Sequence, residues 1–161
     1  MGIRAQAIAG LPLALLLCRT PACAAGPTRG GFSITAVAGL RFGPFVAGSG
    51  GAVTVTPAGA RLSDGGVHLL PAADAGAAAF AVTSRPGGGA TFTITLPASI
   101  VLAGTHGGSM VVDGFTSVPS GVGYLYSGST TLSVGATLHV GPNQTPASYS
   151  GTFEVIVTLS E

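Results

Sequence analysis

Apolar and polar residues alternate with a period of two along most of this chain. Phe32, Ile34, Ala36, Ala38, Leu40 and Phe42 share one parity, with Ser33, Thr35, Val37, Gly39 and Arg41 on the other. Such alternation predicts a half-buried strand. The same period predicts strands at 52–56, 67–70, 79–83, 91–96, 100–102, 110–112, 124–126, 130–134 and 137–140. A last strand follows, in which Phe153, Val155, Val157 and Leu159 share a face. Between them lie turn-forming clusters: Asp64-Gly65-Gly66, Pro86-Gly87-Gly88-Gly89, Gly107-Gly108, Pro119-Ser120-Gly121 and Gly141-Pro142-Asn143. Threonine and valine dominate the strands, as suits a pleated surface with one wet face. No convincing amphipathic helix is present; residues 72–79 are alanine-rich but interrupted by Gly76. Short strands at roughly ten-residue spacing predict an all-β, immunoglobulin-like antiparallel β-sandwich.

The first residues break the pattern. Arg4 is followed by an apolar run from Ala7 to Cys18, and Ala22-Cys23-Ala24 supplies a small-x-small cleavage site. Residues 1–24 therefore read as a secretory signal peptide, too short and wrongly flanked for a membrane span. A lipoprotein leader is cut just before a cysteine. The residues before Cys23, Thr20-Pro21-Ala22, lack the usual leucine three positions upstream, which argues against a lipid anchor. Both cysteines, Cys18 and Cys23, leave with the leader, so no disulfide, thiol nucleophile or cysteine metal site is expected afterwards. The remainder divides into 25–51, holding the strand 32–42 and a Gly-rich hinge at 48–51, and a sandwich domain at 52–161.

Charge narrows the partners. After the leader, four arginines (Arg29, Arg41, Arg61, Arg85) face five carboxylates (Asp64, Asp74, Asp113, Glu154, Glu161), a net of −1. Clustered cations for nucleic acid or a polybasic membrane patch are missing. The sequence has no lysine, which excludes lysine chemistry, including Lys–Asn isopeptide cross-links.

Several stretches resemble a known family. Val53-Thr54-Val55 with Pro57, Gly59, Arg61 and Gly65-Gly66-Val67 is similar to the opening of domain of unknown function 4402. Ala79-Phe80 with Val82-Thr83, Pro86-Gly87, residues 93–97 (TITLP), Phe115-Thr116-Ser117, residues 134–138 (VGATL) and Tyr149-Ser150-Gly151 continue the likeness in order, covering about Leu40 to Val157. The chain departs from it by ending in Thr158-Leu159-Ser160-Glu161, where such domains often carry an aromatic. The resemblance implies a secreted or surface-associated bacterial protein, pilin-like or adhesin-like, and it names no reaction.

Candidate chemistry is sparse. His68, His106 and His139 are separated widely and share no short ligand spacing with another His, Asp or Glu, so no metal site or other cofactor is expected. Asp64, Asp74 and Asp113 fall where aspartate caps turns, and nothing selects a catalytic pair. No Gly-x-Ser-x-Gly elbow lies between a strand and a helix. An enzyme is not expected. Carbohydrate binding has one candidate, Tyr124 and Tyr126 on one strand face; the alternative reading of that pair is edge packing.

The 32–42 strand carries the most information. Burying Phe32, Ile34, Leu40 and Phe42 is worth roughly 1.5–3 kcal/mol each, too much for an arm dangling in water. It docks either in its own domain as a first strand or in a neighbouring copy by β-strand addition. The face Phe153, Val155, Val157, Leu159 marks the candidate acceptor edge, since a long uncharged edge invites pairing. The expectation is a non-enzymatic exported structural protein of periplasm, cell surface or extracellular fibre, partnered by copies of itself or related subunits. The competing expectation is a monomeric cell-surface module binding a ligand or glycan.

Overall fold

Alternating Thr/Val segments punctuated by Gly and Pro favour strands over helices. The computed structural model describes residues 2–7, 33–84, 90–125 and 128–160, and these form strands and turns only. The strands are β1 (Gly2–Ala7), β2 (Ser33–Ala38), β3 (Arg41–Val46), β4 (Gly51–Val55), β5 (Arg61–Gly65), β6 (His68–Leu69) and β7 (Ala78–Ser84). They continue with β8 (Ala90–Thr95), β9 (Ser99–Gly104), β10 (Ser109–Val118), β11 (Val122–Leu125), β12 (Gly128–Val140), β13 (Ala147–Thr152) and β14 (Ile156–Ser160). A large sheet runs β2-β7-β12-β10-β9-β13-β1-β3-β6, with β4 joining β12 to β5; a small one runs β11-β8-β14. All pairings are antiparallel except that of β1 with β3.

The two sheets share one core. Phe92, Ile94 and Leu125 from the small sheet join Leu132, Val134 and Leu138 of β12, Phe42 and Phe45 of β3, and Leu102 of β9 in a single buried cluster. At about 1.5–3 kcal/mol per buried large side chain, this cluster is the main stabilising term, in line with the absence of cysteine from residues 24–161. The antiparallel sandwich expected from the periodicity is thus the fold.

Three local differences from the sequence reading have physical causes. Thr130–Val134 and Thr137–Val140 form one strand, β12, which pairs β7 through Val134 and β4 from Ala136 onward. Gly135 sits at the handover, where a methyl would run into the Val55 carbonyl, so the missing side chain lets two backbones converge. From Ser33 onward the 32–42 pattern is two strands, β2 and β3, separated by Gly39 and Leu40. Asp113-Gly114 is a bulge inside β10, with Gly114 at φ 58°, and not a turn between strands.

The segment 48–51, read as a hinge, is a packed turn. Gly50 N donates to Ala47 O (2.8 Å) and Gly66 N to Gly50 O (2.7 Å). A methyl at Gly48 would collide with the Gly66 carbonyl. β2 and β3, placed in the segment 25–51 by the sequence, pair with β7 and β6 of the segment 52–161.

Candidate functional site

Strand edges are where this molecule offers backbone hydrogen bonds to a partner. β2 lies at one end of the large sheet and, among the described residues, pairs only β7, in the register Ser33↔Thr83, Ile34↔Val82, Thr35↔Ala81 and Ala36↔Phe80. Ser33 Oγ and Thr83 Oγ1 add a side-chain bond at 2.6 Å. The candidate donor residues divide sharply. Leu40 and Phe42 are fully buried in their own core, Ile34 and Ala36 are partly buried, and Ala38 is exposed. Phe32 lies outside the described residues.

The candidate acceptor residues lie at the edge of the small sheet. β14 pairs β8 through Ile156↔Thr95 and Thr158↔Thr93, and among the described residues its outer ladder has no strand partner. Phe153 precedes the strand and is buried, edge-on to Phe80 (centroids 6.2 Å, 90°) and tilted against Phe115 (5.4 Å). Val155 and Val157 are partly buried against the core; the Leu159 side chain is outside the description. Within the chain β2 and β14 do not pair, since they belong to different sheets.

A third feature escaped the sequence reading. Residues 2–7, assigned there to the leader, form β1 in the interior of the large sheet, antiparallel to β13 and parallel to β3. β13 was missed because its sequence, ASYSGT, shows little apolar alternation, although Ala147 and Tyr149 are buried. Tyr149 is held by its hydroxyl, which donates to Thr145 O (2.5 Å) and accepts from Gln144 Nε2 (2.8 Å). β3 is braced on its far side by Arg61, whose Nη1 donates to Leu70 O and Nη2 to Pro44 O, each at 3.0 Å. Burial lowers the Arg61 pKa from its ordinary value, and the charge of Asp74 opposes that shift.

The remaining candidates are scattered. Tyr124 is half exposed on β11, opposite Thr91, and Tyr126 is outside the described residues. Val122, Tyr124, Thr93, Thr95, Ile156 and Thr158 make an exposed outer face of the small sheet. His139 Nε2 lies 2.7 Å from Asp113 Oδ1 across β10 and β12, while His106 Nδ1 contacts Thr105 Oγ1 (3.2 Å) and His68 sits on β6. Asp74 pairs with Arg41 at 3.3 Å. Among the described residues no group of three or more His, Cys, Asp or Glu could hold a metal ion, and no helix is long and apolar enough to cross a membrane.

Residues 32–158 match the family model described as "Domain of unknown function (DUF4402)". The chain belongs to the DUF4402 family. The match begins at the first residue of the 32–42 pattern, so both β2 and β3 are part of the DUF4402 domain as well as of its sheet. No curated protein and no solved structure matches this DUF4402 chain.

Proposed function

We propose that this DUF4402 protein is an exported, non-enzymatic structural subunit of a bacterial surface, pilin-like, that assembles by β-strand addition. Export follows from the leader-like residues 1–24, with periplasm, cell surface or an extracellular fibre as the destination. The observation that carries the reading is the pair of marginal strands. β2 and β14 each close one end of a different sheet, both alternate exposed with partly buried positions along most of their described length, and neither has a second strand partner among the described residues. Main-chain hydrogen bonds along such edges supply affinity, and alternate side chains supply selectivity.

The test is the size and shape of the exported protein. Light scattering after gel filtration and negative-stain microscopy should show linear polymers. A strictly monomeric product across micromolar concentrations would sink the reading. The exposed small-sheet face around Tyr124 supports the alternative, a monomeric glycan-binding module; binding on a glycan array by monomers, weakened by Tyr124→Ala, would favour it.

A further inference from the structure

We infer that the channel between β3 and β13 is the acceptor site for assembly, and that it receives the Phe32–Ala38 strand of a second copy. The inference rests on the proposed removal of residues 1–24. That cleavage takes β1 away, and β1 is not a marginal strand: it bridges β13 on one side and β3 on the other. Its loss leaves two facing ladders unpaired, over six residue pairs on the β13 side (about 20 Å of strand) and four on the β3 side. Phe45 and Tyr149, both buried core residues, stand on the two walls.

Register defines what the channel accepts. Positions 3, 5 and 7 lie opposite Gly151, Tyr149 and Ala147. On β13 this is the inward parity, since Tyr149 and Ala147 are buried. A large residue is therefore wanted opposite glycine and small ones opposite tyrosine and alanine. Gly151 itself is hemmed in, for a methyl there would come within 2.8 Å of Leu102 Cδ2. The leader strand reads Met1-Gly2-Ile3-Arg4-Ala5-Gln6-Ala7, and the start of the 32–42 pattern reads Phe32-Ser33-Ile34-Thr35-Ala36-Val37-Ala38. Large apolar, Ile, Ala and Ala recur at the same four alternate positions. The strand that fills the channel and the strand at the start of the domain are two versions of one pattern.

In the orientation that β1 takes, parallel to β3, the donor does not come from the same molecule. A strand parallel to its neighbour needs a crossover of roughly a dozen residues or more. β1 has residues 8–32 in which to make one, whereas β2 is joined to β3 through Gly39 and Leu40 alone. Residues 25–32 fare no better, since a six-residue strand would leave two for the connection. A second copy has no such restriction. Leaving its own sheet costs β2 little, because there it has one ladder and its side chains are at most partly buried. In the channel it gains two ladders. Each copy then gives one strand and receives one, a head-to-tail contact that propagates as a fibre.

Cysteine pairs in the exported protein, whose leader has taken both native cysteines, provide the test. Thr35 takes the place of Arg4, which pairs Ser150, while in its own sheet Thr35 pairs Ala81. The double variant Thr35→Cys/Ser150→Cys, oxidised, should give a ladder of covalent multimers on a non-reducing gel. The variant Thr35→Cys/Ala81→Cys should give little internal disulfide in polymer fractions. Adding Ile34→Asp to the first variant should abolish the ladder while circular dichroism stays that of a folded sheet protein. If polymers form and yet Thr35→Cys/Ser150→Cys stays uncross-linked, assembly stands and this channel does not. If no polymers form at all, the proposed function itself is lost. Mass spectrometry of the exported chain closes the remaining route: retention of residues 2–7 overturns the inference, because the channel is then already filled.

Discussion

Arg61 shows how a single charged side chain can hold a strand wall in place. Its guanidinium spans two carbonyls, Leu70 O and Pro44 O, which belong to segments on either side of the short strand β6. Its Nε is buried without a hydrogen-bond partner, and desolvation is the larger influence on its pKa. The residue thus gives up hydration in order to bind both segments, a task suited to a planar fork. Arg61→Ala should cost about 1–2 kcal/mol in urea unfolding, since both carbonyls lose a charged donor. Arg61→Lys should recover only part of that, because an ammonium lacks the pre-organised planar fork that meets two acceptors at once. Equal stability of Arg61→Lys and the native protein would refute the bridging role. The family resemblance singled out Arg61 as part of a motif, but its partners were not legible in the sequence. They depend on a fold-back of Leu70 onto Pro44 that no local pattern encodes.

At the scale of elements, the legible strands were those whose side chains alternate in polarity. Residues 91–96, with Phe92 and Ile94 buried and Thr93 and Thr95 exposed, became β8 almost as drawn. Strands β5 and β13 left no such trace, for different reasons. β5 (RLSDG) is largely exposed along its length, so neither face needed apolar residues. β13 alternates in burial, but its inward positions include glycine and its outward ones are serine and threonine. The 32–42 segment misled in a third way, since one unbroken parity covers two strands with separate roles. Leu40 and Phe42 are fully buried, whereas Ile34 only lines the rim of the core. Substitution should separate these roles. Leu40→Asp places a carboxylate in the core and should prevent folding, the cost of an unpaired buried charge exceeding the stability of a domain this size. Ile34→Asp should leave a protease-resistant monomer, losing about 1–2 kcal/mol of partial burial. Should both variants unfold alike, β2 is integral to the monomer and unavailable for exchange.

For the whole molecule, the candidate site was the least legible part, because it is made by strands distant in sequence and by one that the sequence assigned to a leader. β3 and β13 are separated by a hundred residues of chain, roughly, and meet only through what lies between them. Their separation makes stability depend on a guest strand in the same way that it depends on any ligand bound by the native state alone. The Ile34→Asp subunit should be unable to donate its strand yet keep its own channel vacant and intact. Addition of a free peptide with the sequence of residues 32–38 should therefore raise its urea midpoint in a dose-dependent way. At a peptide concentration one hundred times the dissociation constant, linkage sets the gain at about 2.7 kcal/mol. A peptide carrying Asp at its third position should give no shift, since that position faces Gly151 in the inward parity. So should one with the order of alternate residues displaced by one, because a single-residue slip turns the Ile-Ala-Ala set to the outer face. Identical shifts from all three peptides would mean that they bind through nonspecific edge pairing, and no shift from any at millimolar concentration would mean that the gap between β3 and β13 closes without a guest.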